Sequence, residues 1–204
     1  MVSAARGSVD TVGILLAAGV GRRFCADRPG HKLEVLIDGV PVAERALAVL
    51  ASSVDVVIVA TRADEAAIAK LAATQGCHVV VPADAAQGMG HSLAAAVSYA
   101  QRMFVDAKTL VVALADMPWL QASTVSQAVA QSVVRDCIVQ PRHDGQPGHP
   151  VVFPSRYMPA LAACVGDVGA RALLRRYASE VYAFDVDDSG VLRDVDTPAD
   201  VQPY

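Results

Sequence analysis

Leu15-Leu16-Ala17-Ala18-Gly19-Val20-Gly21-Arg22-Arg23-Phe24 is the stretch on which the reading of this chain turns. Val12 to Leu16 form an apolar run suited to a buried strand, and Gly19 and Gly21 then let the backbone turn without side chains in the way. Peptide N–H groups unscreened by Cβ atoms can wrap an anion, and Arg22, Arg23 and Lys32 add positive charge beside them. That combination suits a polyphosphate. A lone Gly-x-Gly is equally a plain strand-to-loop turn with solvated arginines. A Rossmann dinucleotide loop would need a third glycine three residues after the second. Phe24 stands there, and no helix pattern begins at it.

Composition narrows the field around this loop. The chain has 204 residues, 53% of them hydrophobic and 19% charged, which fits one folded domain with a substantial core. Residues 1–10 are expected to be an N-terminal tail ahead of that domain. The net charge of −4 lacks the basic excess of a nucleic-acid binder. No apolar run reaches the roughly 18 residues of a membrane helix, and the N-terminus lacks the ordered regions of a secretory signal. Cys25, Cys77, Cys137 and Cys164 are widely spaced, as in a reduced cytoplasmic protein, and the last three read as small core residues.

Beyond the loop, apolar runs alternate with alanine-rich helical stretches, the pattern of an α/β fold with a mostly parallel central sheet and helices on both faces. Strands are expected at Leu33–Ile37, Asp55–Ala60, Cys77–Val81, Leu110–Ala115, Asp136–Gln140, Val151–Phe153 and Val181–Phe184. Pro41 is placed to open a helix, Ser92 to cap another, and Pro141–Pro150 to form a polar loop. In open sheets, ligands sit beyond the carboxyl ends of strands. The Gly19–Lys32, Pro82–His91, Asp116 and Pro141–Pro150 segments all follow strands and so collect there.

Asp116 ends the most apolar strand and precedes Met117-Pro118, which fixes its direction. Such carboxylates hold Mg²⁺ together with phosphate oxygens, although Asp116 could equally open a turn. Asp194 and Asp196 lie two apart in extended chain and so share a face. Thr197-Pro198 beside them is also a good helix start. Gly88 and Gly90 allow close backbone approach to a base or ribose, or simply begin a helix. His143, Asp144 and His149 show no zinc spacing and are read as a polar loop.

Taken in order, these motifs become specific. Leu16-Ala-Ala-Gly-x-Gly-x-Arg23-Phe24, Lys32-Leu33, Gly88-Met-Gly-x-Ser92-Leu93, Leu114-Ala-Asp116-Met-Pro118, Gly148-His-Pro150, Gly166-Asp-x-Gly-Ala-Arg171 and Asp194-x-Asp-Thr-Pro198 resemble the MobA-like nucleotidyltransferases. Within them the chain is most similar to the molybdenum cofactor cytidylyltransferases, from Val12 to Val201. Cys25 and the Ala26–His31 insertion depart from the family pattern. The resemblance implies a Rossmann-like GT-A type fold, Mg²⁺, CTP, a molybdopterin-type acceptor and transfer of CMP with release of pyrophosphate. Ala17-Ala18-Gly19 stands where guanylyl-transferring relatives usually carry Gly-Gly, which favours CTP over GTP. The implied catalytic residues are Arg23, Lys32 and Asp116. Leu16, Ala17, Ala18, Gly19, Gly21, Arg23, Lys32, Pro82, Gly88, Gly90 and Ser92 would bind the nucleotide. Asp116, Asp194 and Asp196 would hold the metal, and His149, Asp167 and Arg171 the acceptor. The product would pass to a molybdoenzyme or its chaperone. Three other readings stay open: another phosphorylated acceptor or GTP, a non-catalytic carrier of the cofactor, and an NAD-dependent oxidoreductase that Phe24 disfavours.

Overall fold

The computed structural model describes residues 8–19, 31–83, 88–166 and 169–201. Strand β1, Thr11–Leu16, is buried along nearly its whole length and divides the interior in two. Val12, Ile14 and Leu16 point into one apolar cluster, while Leu15 and Ala17 point into the other. That alternation is the period-2 geometry of a strand covered on both faces. The segment expected as a strand over Leu33–Ile37 is instead a 3₁₀ turn, His31–Glu34, followed by a two-residue strand β2, Leu36–Ile37. β2 pairs antiparallel with β3, Val40–Pro41, across an Asp38-Gly39 turn with both φ positive. This is the two-residue hairpin geometry, and it consumes the residues that a longer strand would have needed.

Helix α1, Val42–Ala51, follows Pro41 directly and buries Val42, Ala43, Ala46, Leu47 and Leu50, the spacing of one helix face. The chain continues through β4 (Val56–Ala60), α2 (Ala66–Thr74), β5 (His78–Val80), α3 (Met89–Met103), β6 (Thr109–Leu114) and α4 (Ala122–Arg135). It then runs through β7 (Ile138–His143), β8 (Gln146–Pro147), β9 (Val151–Pro154), α5 (Met158–Ala162), α6 (Arg171–Arg176) and β10 (Val181–Asp185). The sheet order is β10-β7-β9-β6-β1-β4-β5, with β8 paired to β7. All neighbours along the path are parallel except β9, which runs antiparallel between β6 and β7. The α/β expectation with a mostly parallel sheet is met. Residues of α1, α2 and α4 pack on one face, and those of α3, α5 and α6 on the other.

Three further expectations are corrected. The loop over Pro141–Pro150 is largely a hairpin, β7 to β8, turning at Asp144-Gly145 with both φ positive. Asp136 is no strand residue; it is the left-handed C-cap of α4, at φ 48°. Cys77, Cys137 and Cys164 are free and only half-buried, at the margins of the two apolar clusters. At the other end of the sheet, Asp10 is tied in by its N–H to Asp55 Oδ2 at 2.9 Å. Among the described residues, no helix is long and apolar enough to cross a membrane.

Candidate active site

The parallel strands deliver their carboxyl ends to one edge, where β1 is held on both sides. Ala17 N–H donates to Ala60 O at 2.8 Å, and Ala115 N–H to Leu16 O at 3.0 Å. Asp116 follows immediately. A late segment of the chain, residues 186–196, crosses this edge as a strap. Val195 N–H donates to Asp116 O at 2.8 Å, and the Val195 side chain is fully buried in the core. Because Val195 points inward from extended chain, its neighbours Asp194 and Asp196 both point outward, to the side of Asp116. One oxygen from each of Asp116, Asp194 and Asp196 lies within 4.8 Å of the others. The three acids read from the sequence as a group are brought together.

Lys32 joins them. It is 6% exposed, and its Nζ donates to Asp116 Oδ2 at 2.6 Å and to Asp196 Oδ1 at 3.2 Å. Burial works against its charge, but the carboxylates of Asp116 and then Asp196 outweigh it and leave the pKa raised. The Asp194 carboxyl is pushed up instead, first by burial and then by the negative charges of Asp116 and Asp196. One ammonium thus serves three acids, and the cluster remains short of positive charge. Its donors are all hard oxygens, which is the set a Mg²⁺-like cation takes.

Other expected residues fall into place unevenly. Leu16, Ala17 and Ala18 are buried at the end of β1, and a Cβ built on Gly19 would meet nothing within 4 Å. Among the described residues, the space beside Gly19 is therefore unfilled. Gly90 has a different reason to be glycine: a Cβ there would lie 2.7 Å from the Val165 carbonyl, so its space is filled by protein backbone. Ser92 is no N-cap, because α3 begins three residues earlier at Met89, and its hydroxyl is buried without a partner. Pro82 is half-buried beyond β5, and Gly88 is the cap residue of α3 at φ 119°. Gly21, Arg22, Arg23, Phe24, Cys25 and Asp167 lie outside the described residues.

His149 and Arg171 line one cavity of about 1130 Å³, together with Leu16, Gly148 and Asp194. Its walls include Met89, Leu93, Val112, Leu114 and Leu174. Burial holds the His149 imidazole below its ordinary pKa, and the Arg171 charge acts in the same direction; a bond to the Val112 carbonyl and the Asp116 charge oppose them. Its Nδ1 is buried and unpartnered. The peptide bond into Pro150 is cis.

Sequence reasoning missed the residue that anchors the strap. Asp188 is 3% exposed, and its Oδ2 accepts from Gln121 N–H at 3.0 Å and from Thr124 Oγ1 at 2.7 Å. Its Oδ1 accepts from Gly190 N–H at 2.9 Å. The signal was present as Asp-Ser-Gly, a side-chain-closed turn, but its distant partner on α4 was not readable. Gln140 was missed as well; its Nε2 donates to Gly148 O at 3.0 Å and steadies the segment before His149.

A family model for the MobA-like NTP transferase domain matches residues 13–181. The purine catabolism protein PucB of Bacillus subtilis is 30% identical over 196 residues, spanning 92% of each chain. Rv0371c of Mycobacterium tuberculosis is 27% identical and superposes with a TM-score of 0.81, over 95% of this chain and 96% of its own. Its complex with manganese superposes at 0.76, over 94% and 95% of the two chains, at 26% identity. Molybdopterin-guanine dinucleotide biosynthesis protein A of Archaeoglobus fulgidus, at 19% identity, shares the fold, with a TM-score of 0.64 over 93% of this chain and 94% of its own. A cavity at the strand ends, an oxygen-donor acid cluster and this family match lead to one assignment: the chain belongs to the MobA-like NTP transferase family and is a nucleotidyltransferase.

Proposed function

We propose that the protein transfers CMP from CTP to the phosphate of a molybdopterin-type acceptor in the cytoplasm, releasing pyrophosphate. The observation that carries this reading is the convergence of Asp116, Asp194 and Asp196 with Lys32 at the carboxyl edge of β1 and β6. Those carboxylates fit Mg²⁺, and the manganese complex of Rv0371c is consistent with a divalent ion at such a site. When bound, the ion would neutralise phosphate charge and polarise the α-phosphorus.

The chain's own residues supply position and charge. The acceptor phosphate oxygen attacks the α-phosphorus in line; the bond from that phosphorus to the bridging oxygen breaks, and the electron pair leaves with pyrophosphate. Gly19 and Gly21 would lend backbone N–H groups to the triphosphate, with Arg23 beside them. Lys32, already in the acid cluster, would stabilise charge on the departing pyrophosphate. Ala17 and Ala18, with Pro82 and Gly88, would frame the nucleoside, whereas Ser92, fully buried in α3, is not placed to touch it. The cavity beside His149 and Arg171 would receive the acceptor before the product passes to a molybdoenzyme or its chaperone; Asp167, which lies outside the described residues, is assigned to the acceptor by the family resemblance. No protein nucleophile is needed.

CTP is favoured over GTP by the Ala17-Ala18-Gly19 turn. A pocket shaped for cytosine leaves groups unpaired against guanine, at about 1–3 kcal/mol each, so CTP should lead by roughly 10-fold to 100-fold in kcat/KM. The test is pyrophosphate release with molybdopterin and CTP, GTP, ATP or UTP in turn. Equal use of GTP would move the protein to the guanylyl branch. Absence of release with every nucleotide would sink the transfer to this acceptor.

A further inference from the structure

The wall of the cavity formed by α6 holds two cations that have no carboxylate or aromatic partner among the described residues. Among the described arginines, Arg45, Arg62, Arg142 and Arg156 pair with carboxylates. Three more lie over aromatic rings: Arg135, Arg176 and Arg193. Only Arg102, Arg171 and Arg175 have neither kind of partner among the described residues, and the last two line the same cavity. They stand four apart on α6, which places both on one helix face with Cβ atoms about 5–6 Å apart. Two guanidinium groups at that spacing, beside apolar walls, present paired donors to one oxyanion.

We infer that Arg171 and Arg175 form an anion clamp that holds a charged group of the acceptor other than the phosphate that reacts. The inference rests on the proposed transfer for what the anion belongs to, but not for the clamp itself. The reacting phosphate must reach the α-phosphorus beside Asp116, Asp194 and Asp196, where Lys32 already supplies the local positive charge. The arginines belong to a different element, α6, and although Asp194 lines the same cavity, no hydrogen bond or ion pair joins them to that cluster among the described residues. An acceptor filling the cavity therefore carries a second anionic group beyond an apolar or planar body. His149, on the same cavity, cannot balance the arginines, since an imidazole is either neutral or cationic.

The clamp is tested first with inorganic phosphate as the probe, at fixed ionic strength and with a non-hydrolysable CTP analogue and Mg²⁺ filling the nucleotide site. Thermal shift should give a saturable phosphate response in the wild type that weakens at least about tenfold in R171A/R175A. Both sites are exposed helix positions where alanine preserves the helix. Arg176→Ala, one residue from Arg175 but stacked on Tyr177, should respond like the wild type. An unchanged response in the double variant, or an equal loss in Arg176→Ala, overturns the clamp. Turnover with molybdopterin then tests the assignment: R171A/R175A should raise the acceptor KM at least about tenfold, with kcat and the KM for CTP within about threefold. A fall in kcat like that of Asp116→Ala would put the reacting phosphate at the arginines and overturn the inference. If the phosphate arm separates the variants while wild type transfers nothing to molybdopterin, the clamp stands and the proposed acceptor falls.

Discussion

The two halves of this molecule build their share of the crevice by different means. From β1 to β6 the chain repeats strand and helix, and what it brings to the edge is mostly backbone: Ala17, Ala18 and the open space at Gly19. From β7 onward regular structure thins out, and the chain contributes side chains instead, namely Asp194, Asp196, His149, Arg171 and Arg175. The first half owes its shape to apolar periodicity. The second is held by close backbone crossings: a Cβ on Gly148 would lie 2.3 Å from Val191 O, and one on Gly190 would lie 2.2 Å from Trp119 O. A regular frame thus presents a backbone edge, while an irregular strap, pinned at a few points, places the acidic side chains.

The contrast is broken most directly at Asp116, the point where the halves meet. Asp116→Ala should cost about 100-fold or more in turnover while leaving the circular dichroism spectrum and cooperative unfolding intact, because the residue lies past the end of β6. Retained turnover at saturating Mg²⁺ would remove the acid cluster from the mechanism. Next is the strap. Gly190→Val forces the Trp119 carbonyl away and should destabilise the fold by about 1–3 kcal/mol in urea unfolding. It should also weaken Mg²⁺ binding while CTP affinity without metal stays near wild type. Equal losses of metal and nucleotide binding would mean that the halves are not separable.

Lys32 sharpens the comparison, since it comes from the first half but serves the acids of the second. Lys32→Ala leaves the acid cluster without its ammonium, so Mg²⁺ should raise the melting temperature of the variant more than that of the wild type. In turnover it should lower kcat more than it raises the KM for CTP. A raised KM with kcat unchanged would make it a simple binding residue.

The smallest effect concerns Asp194. Its raised pKa means that the folded protein binds a proton there more readily than the unfolded chain does. That contribution to stability is present at low pH and is lost as the pH rises through the raised value. Asp194→Asn should therefore raise the metal-free melting temperature near neutral pH by about 1–2 °C, with the gap closing as the pH falls. A lower melting temperature at neutral pH would contradict the charge balance described for the cluster.

Legibility followed the same division. The strands and helices up to α4 were readable because buried faces impose a period, and Asp116 was readable because it ends the most apolar of them. Asp194 and Asp196 could be placed on a common face from their spacing, although what turned that face toward Asp116 was the burial of Val195. The 3₁₀ turn at His31–Glu34 was not readable, since the Asp38-Gly39 hairpin decides it from downstream. Nor was the antiparallel course of β9, because an apolar run carries no direction. Asp188 and Gly190 escaped for a related reason: their partners on α4 and at Trp119 lie some seventy residues away, and no local pattern announces a contact at that separation.

One consequence lies in the order in which the chain is made. Lys32 and Asp196, bonded to each other at the centre of the cluster, are 164 positions apart, and Asp116 lies between them. A ribosome therefore releases the end of β1 and most of the sheet well before the strap that supplies two of the three acids. A chain ending near β9 would carry one of the three carboxylates of the proposed site. Two of the three acids of the proposed metal site thus follow every strand of the sheet in chain order.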